Sequence, residues 1–322
     1  MFTVTGASGH LGRLVIQHLL QRVPASAVLA LTRHPERLAD LAAIGVTVRH
    51  ADFADPASLP AAFAGATRML IVSTNSPMSD AHDSHRVAIE AAAAVGVAHI
   101  AYTSAQGADP AATSGLARDH GLTEAALAAS DIPWTALRNS FYAEGLAQIV
   151  ARSCADGTLL FPEGDAKTYW VTREDCARVA AAVLAGTTDP SGPVDVTGPE
   201  GLSFGGVAER LAALSGRAVP VRHVSAEEYI AHLAAIGMPG PVATAVGGLT
   251  AVSPAPPSAR RPIRSNGSPA DRRPRSMRPC APSPDERSTQ EAALFCPAMP
   301  SGWRHGSRRN AGSVTTIGPI AT

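Results

Sequence analysis

Three glycines, one arginine and a few polar residues carry the chemistry this chain can offer. Gly6, Gly9 and Gly12 stand in the run Gly6-Ala7-Ser8-Gly9-His10-Leu11-Gly12. Between a strand and a helix, such spacing serves a dinucleotide. Gly6 allows a tight turn, Gly9 lets backbone approach a pyrophosphate, and Gly12 lets helix and strand pack closely. Free N–H groups at the helix start then face the phosphates. An ordinary Gly-rich turn is the plainer alternative, and the flanking elements favour the nucleotide. Arg33 follows the second expected strand, where an NAD-preferring site places an acid on the ribose 2′-hydroxyl. A cation there suits a 2′-phosphate, so the expected cofactor is NADPH; as a solvated surface charge Arg33 would hold nothing. Asp52 follows the third strand and can either meet the adenine or cap the next helix. Ser73, Thr74 and Asn75 follow the fourth strand and either border the cofactor or form a turn. His82 and His85 share a helix face without a third ligand nearby, so exposure is expected rather than a metal. Cys154, Cys176, Cys280 and Cys296 show no CxxC spacing and read as buried thiols of a reducing cytosol.

Positioning these groups falls to alternating strands and helices. Strands are expected at 2–5, 28–32, 46–49, 68–72, 97–102 and 134–138. Helices are expected at 11–20, 35–43, 79–95 and 116–129. The run at 68–72 hardly alternates, as suits a strand covered on both faces. This order argues an α/β, Rossmann-type, doubly wound parallel sheet, with residues 1–138 as the NAD(P)-binding domain. Residues 139–248 read as a smaller, interleaved α/β lobe that carries the substrate. It has a helix over the site at 139–153, strands at 158–161, 193–197 and 219–223, and helices at 173–184, 203–215 and 225–236. Trp134, Trp170, Phe141, Tyr142 and Tyr169 are its candidate entrance aromatics.

Length and composition narrow the class. The chain has 322 residues and is 45% hydrophobic, enough for a soluble core. No apolar run reaches the ~18 residues of a membrane span. With a strand at residue 2, no signal peptide is expected, and the cytoplasm is the expected compartment. A net charge of +0 hides an asymmetry: residues 1–250 hold 16 Lys+Arg against 23 Asp+Glu, and residues 251–322 hold 11 Arg against four acids. An acidic main domain offers no electrostatic footing for nucleic acid.

Longer stretches then carry a resemblance. These include Thr5 to Gly12, Val23-Pro24-Ala25-Ser26, Thr32-Arg33-His34-Pro35 and Val46 to Phe53. Ile100-Ala101-Tyr102-Thr103-Ser104, Leu116 to His120 with Thr123-Glu124, and Leu137 to Glu144 continue it. Residues 1–248 resemble the NmrA-like branch of atypical short-chain dehydrogenases, nearest its bacterial NADPH-dependent quinone oxidoreductases. The resemblance implies a phosphate loop at Gly6, Ala7, Ser8, Gly9, His10 and Leu11. It implies a 2′-phosphate contact at Arg33 and a cofactor wall at Ser73, Thr74 and Asn75. It also implies nicotinamide and substrate contacts at Asn139, Ser140, Phe141, Tyr142, Ala143 and Glu144. Ser140-Phe141 departs from the Gly-Trp common in the family, and His10 replaces a common Gln.

A typical short-chain dehydrogenase uses Tyr-x-x-x-Lys, the lysine lowering the tyrosine pKa. Tyr102 is followed four residues on by Gln106, and Lys167 is the only lysine. That disfavours alcohol–ketone chemistry. Quinone reduction asks less, because the quinone takes hydride directly and water can protonate the phenolate. His120 is the candidate catalytic residue, near the nicotinamide ribose or the quinone oxygen; its bland alternative is an exposed helix histidine. The competing function is a non-catalytic NADP(H) sensor of NmrA type, which the missing Tyr/Lys pair suits equally.

From residue 249 the composition changes. Residues 251–322 contain 12 Pro, 11 Arg and 10 Ser but only seven Leu, Ile, Val and Phe. A disordered tail is expected. With 26 Arg to one Lys in the whole chain, the tail reads as a GC-rich gene translated out of frame from near Gly248–Ala251. An uninterrupted frame on re-sequencing would dismiss that reading. If the frame is shifted, the lost C-terminal element weakens either the substrate lobe or the contact of an expected homodimer.

Overall fold

Uninterrupted runs of Val, Leu, Ile and Ala become strands covered on both faces. The computed structural model describes residues 1–74, 81–112, 115–153, 158–216 and 218–248; Asn75, three of the cysteines and the expected tail fall outside them. The strands are β1 (Phe2–Val4), β2 (Val28–Thr32), β3 (Thr47–His50), β4 (Arg68–Ile71), β5 (His99–Ala105), β6 (Trp134–Asn139), β7 (Leu159–Pro162), β8 (Gly192–Val196) and β9 (Val221–Val224). A seven-stranded sheet runs in the order β3-β2-β1-β4-β5-β6-β8, and β7 pairs with β9 apart from it. Every pairing between these strands is parallel. All five residues of β2 are buried. The strand order reverses between β1 and β4, where the crevice of an open α/β sheet lies.

The helices are α1 (His10–Leu19), α2 (Ala39–Ala43), α3 (Leu59–Phe63), α4 (Ala81–Ala94), α5 (Gly115–Ala128), α6 (Ala143–Ser153), α7 (Arg173–Leu184), α8 (Phe204–Ser215), α9 (Ala226–Ala235) and α10 (Gly240–Gly247). One sheet face is covered by α1 and α7. Val15, Ile16 and Leu19 meet Ala177, Ala180, Ala181 and Leu184 there. The alanines of α7 admit close approach, and each buried Leu or Ile contributes roughly 2 kcal/mol. The other face holds Phe63, Ala88, Ile89, Ala92 and Leu127 from α3, α4 and α5. A third cluster joins Ile149, Phe161, Phe204, Tyr229 and Leu233 around β7 and β9. Thr172, Ser203 and Ser225 cap α7, α8 and α9 through their side chains.

Two elements after residue 138 join the core built before it: β8 pairs with β6, and α7 lies on α1. Strand β6 supplies a template edge that β8 can extend, so the sheet claims both. The helix expected from 139 begins at Ala143, because Ser140 and Ala143 spend their amides on Val196 and Val171. Trp134 opens β6 at the edge opposite the strands' carboxyl ends, so it is not at the entrance. Helix α10 was not foreseen; its small residues Gly240, Ala243 and Gly247 give weak periodicity. Among the described residues, no helix is long and apolar enough to cross a membrane.

Candidate active site

The glycine loop is built as its spacing demands. Gly6 holds φ +58°, a left-handed turn that a side chain would strain. A Cβ on Gly12 would stand 2.4 Å from Gly6 O and 2.9 Å from Ala7 Cα, so only glycine lets α1 start this close to β1. A Cβ on Gly9 would stand 3.2 Å from the same carbonyl. Ala7 N donates to Leu31 O, and Ser8 Oγ lies 2.8 Å from Thr32 Oγ1, which stitches the loop to the end of β2. Gly9 is the N-cap of α1 and offers no side-chain cap. The first amides of α1, at His10 and Leu11, therefore remain for an anion.

Beside this loop lies a cavity of about 670 Å³. Gly6, Ser8, Gly9, Arg33, Asp52, Ser73 and Thr74 line it, all residues singled out from the sequence. Arg33 is exposed at its rim. Asp52 is half-buried, and its Oδ1 accepts from Ala54 N at 3.1 Å, so it closes a local turn and faces the cavity at once. His34, Arg37, Phe53, Val72 and Ser84 line the cavity without having been foreseen. The second cation, Arg37, was legible in the run Arg33-His34-Pro35-Glu36-Arg37. Three successive amides past β4 are each caught by a side chain. Val72 N donates to Thr5 Oγ1 at 2.9 Å, Ser73 N to Thr103 Oγ1 at 2.8 Å, and Thr74 N to His85 Nε2 at 2.9 Å.

His85 thus corrects the expectation of an exposed histidine: it is 1% exposed. Its Nδ1 lies 3.0 Å from Thr123 Oγ1 and 3.3 Å from the Tyr102 hydroxyl. That hydroxyl lies 2.7 Å from His120 Nδ1. His120, on α5, is 8% exposed rather than a solvent-facing helix residue, and it does not line the cavity. Burial holds His120 down to about 4, against the pull of Glu124 and Asp119. Burial, then the neighbouring His120 and His82, hold His85 down to about 3. Burial pushes the Tyr102 phenol well above its ordinary range. Behind this group, buried Glu124 takes two bonds from Arg138, at 3.0 and 2.6 Å, and one from Ser104 Oγ at 2.6 Å.

At the end of β6 the segment 139–144 divides in two. Asn139 and Ser140 are buried, and Asn139 Oδ1 and Ser140 Oγ lack partners, as does Trp170 Nε1. The remaining members are committed to the segment facing them. Ala143 N donates to Val171 O, and Glu144 Oε1 accepts from Arg173 N at 2.9 Å. The Arg173 guanidinium sits 4.6 Å above the Tyr142 ring, and the Tyr142 hydroxyl accepts from Asn139 Nδ2 at 3.3 Å. Phe141 meets Trp170 edge-on at 6.1 Å. Among the described residues no cluster of His, Cys, Asp and Glu could hold a metal. Burial pushes the Cys176 thiol up to about 12.

A tight glycine turn with open helix amides, cations lining the adjoining cavity and orphaned polar atoms on Asn139 and Ser140 suit a dinucleotide; fold and site define an NAD(P)H-binding oxidoreductase. The profile of the NAD(P)H-binding family matches residues 6–187, and the chain belongs to that family. Quinone oxidoreductase 2 of Escherichia coli K12 is 36% identical over 74% of this chain and 83% of its own length. The triphenylmethane reductase of Citrobacter sp., solved with NADP(H), shares 34% identity and a TM-score of 0.72 over 79% of this chain and 91% of that one. The E. coli quinone oxidoreductase 2 complexed with NADPH shares 35% identity and a TM-score of 0.70 over 76% and 86%.

Proposed function

We propose that the protein reduces quinones with NADPH by direct hydride transfer. The observation that carries this is the pairing of Tyr102 with His120. Tyr102 is fully buried, its hydroxyl is spent on a histidine, and no lysine lowers its pKa. It cannot act as the proton donor that alcohol–ketone chemistry needs. An acceptor whose reduced oxygen is a weak base does not need one. The likeness to a quinone oxidoreductase and to a reductase of triphenylmethane dyes agrees, since both names denote conjugated acceptors.

In this reading NADPH, when bound, supplies the hydride. The loop of Gly6, Ala7, Ser8, Gly9, His10 and Leu11 would border the pyrophosphate; the amides of Ala7 and Gly9 are spent on Leu31 O and Gly6 O, and those of His10 and Leu11 would meet the phosphates. Arg33, with Arg37, meets the 2′-phosphate, and Asp52 meets the adenine. Ser73, Thr74 and Asn75 form the wall, Asn75 being outside the described residues. Asn139 and Ser140 offer their unpartnered oxygens to the nicotinamide side. Phe141, Tyr142, Ala143 and Glu144 shape the acceptor's side from 139–248. His120, neutral at working pH, donates a hydrogen bond to the acceptor's oxygen as charge develops there.

Steady-state oxidation of NADPH and NADH with a panel of quinones tests this. The expected result is turnover with NADPH, faster than with NADH. A protein that binds NADPH but oxidises it with no quinone would be the non-catalytic sensor instead.

A further inference from the structure

His85 has no part in the reading above, and Tyr102 enters it only as a group that does not serve as the acid; burying the two titratable rings together demands a reason. The hydrogen-bond directions supply one. An amide N–H can only donate, so Thr74 N–H fixes His85 Nε2 as an acceptor. A neutral imidazole then carries its proton on Nδ1. Thr123 Oγ1 donates to Asp119 O at 2.8 Å, so it is free to accept from that Nδ1–H, 3.0 Å away. The same Nδ1–H faces the Tyr102 oxygen at 3.3 Å. Tyr102, receiving there, has its own O–H to give, and His120 Nδ1 lies 2.7 Å off. With that O–H given to Nδ1, His120 carries its proton on Nε2.

We propose that His85 and Tyr102 are positioning residues: they fix His120 as the Nε2–H tautomer and tie that choice to the cofactor wall at Thr74. This rests on the reading of His120 as the donor to the acceptor's oxygen. The chain of bonds has one consistent polarity, set at one end by a backbone amide that cannot reverse. It joins the cavity wall after β4 to the middle of α5 through rings 5.2 and 5.7 Å apart. An Nδ1–H tautomer of His120 would leave Nε2 an acceptor, and that nitrogen could not donate to a carbonyl or a developing phenolate.

The test is nitrogen-15 histidine NMR on the full chain, joined to kinetics and NADPH titration of four variants. Wild type should show His85 as Nδ1–H and His120 as Nε2–H. Tyr102→Phe removes the O–H while keeping the ring. It should leave His120 a mixture of tautomers and lower kcat roughly tenfold or more, with the NADPH Kd unchanged. His85→Leu should raise the NADPH Kd about fivefold by releasing Thr74. His85→Gln, whose amide oxygen reaches the Nε2 position, should restore it. An Nδ1–H tautomer at His120 in wild type overturns the proposal, as does a Tyr102→Phe kcat equal to wild type. Equal NADPH affinity in His85→Leu overturns the link to Thr74. His120→Ala separates the two levels: if it turns over normally, the donor reading fails; if it is slow while Tyr102→Phe is not, only the positioning claim fails.

Discussion

The Tyr102 hydroxyl lies 2.7 Å from His120 Nδ1, inside a shell that keeps both rings neutral. A tyrosine on this strand with a lysine four residues on would be an acid. Here it is a strut. That exchange of roles narrows the chemistry to acceptors that need orientation more than a proton.

Removing the imidazole tests its role directly. His120→Ala should lower kcat with a quinone roughly 100-fold, the cost of losing one donor aimed at developing charge. NADPH binding by calorimetry should persist, because His120 does not line the cofactor cavity. An unchanged kcat would remove His120 from the reaction.

The pH profile separates a hydrogen-bond donor from a titrating acid. The groups facing His120 are Tyr102, His85, Glu124, which is paired with Arg138, and Asp119. Burial outweighs both carboxylates and holds His120 to about 4. The kcat should therefore stay flat from about pH 6 to 8, across the ordinary histidine pKa of about 6.5. A fall in kcat as pH rises through that value would mark a protonated histidine as the acid.

Stability should carry the same signature. Unfolded, both histidines take protons near their ordinary pKa; folded, His85 waits until about 3 and His120 until about 4. Between those limits the unfolded chain binds more protons, so stability is full above about pH 6.5 and declines as pH falls toward 4. Each histidine adds up to about 1.4 kcal/mol per pH unit to that slope. Urea unfolding between pH 7 and about 4.5 reads it, and His85→Gln should flatten it by one histidine's share. A slope unchanged in that variant would contradict the burial account.

Cofactor choice should reside at the rim. Arg33→Ala should weaken NADPH about tenfold or more, the worth of one charge-assisted contact, and leave NADH nearly untouched. Arg37→Ala should act the same way more weakly. Calorimetric titration of both nucleotides checks this, and parallel losses for NADPH and NADH would place Arg33 away from the 2′-phosphate.

Much of this was legible in the sequence because its physics is local. The spacing of Gly6, Gly9 and Gly12 needed only chain geometry, and the run at 68–72 announced a strand covered on both faces, where Met69, Leu70 and Ile71 are buried. Arg33 and Asp52 were found from their places at strand ends. What escaped was long-range. Nothing near His85 shows that Thr74, Tyr102 and Thr123 converge on it, since the partners lie 11 to 38 residues away. Which strand crosses the boundary at 138 was hidden for the same reason, β8 joining β6 from more than 50 residues downstream. Glu144 matched a family motif, yet its carboxylate meets the amide of Arg173, 29 residues on.

The most direct test is single-turnover stopped flow, mixing protein preloaded with NADPH against a simple benzoquinone and following loss of the reduced-nicotinamide absorbance. The account predicts one exponential whose rate saturates with quinone and drops in His120→Ala. Reduced nicotinamide that persists at saturating quinone, in protein shown to hold it, would contradict the account.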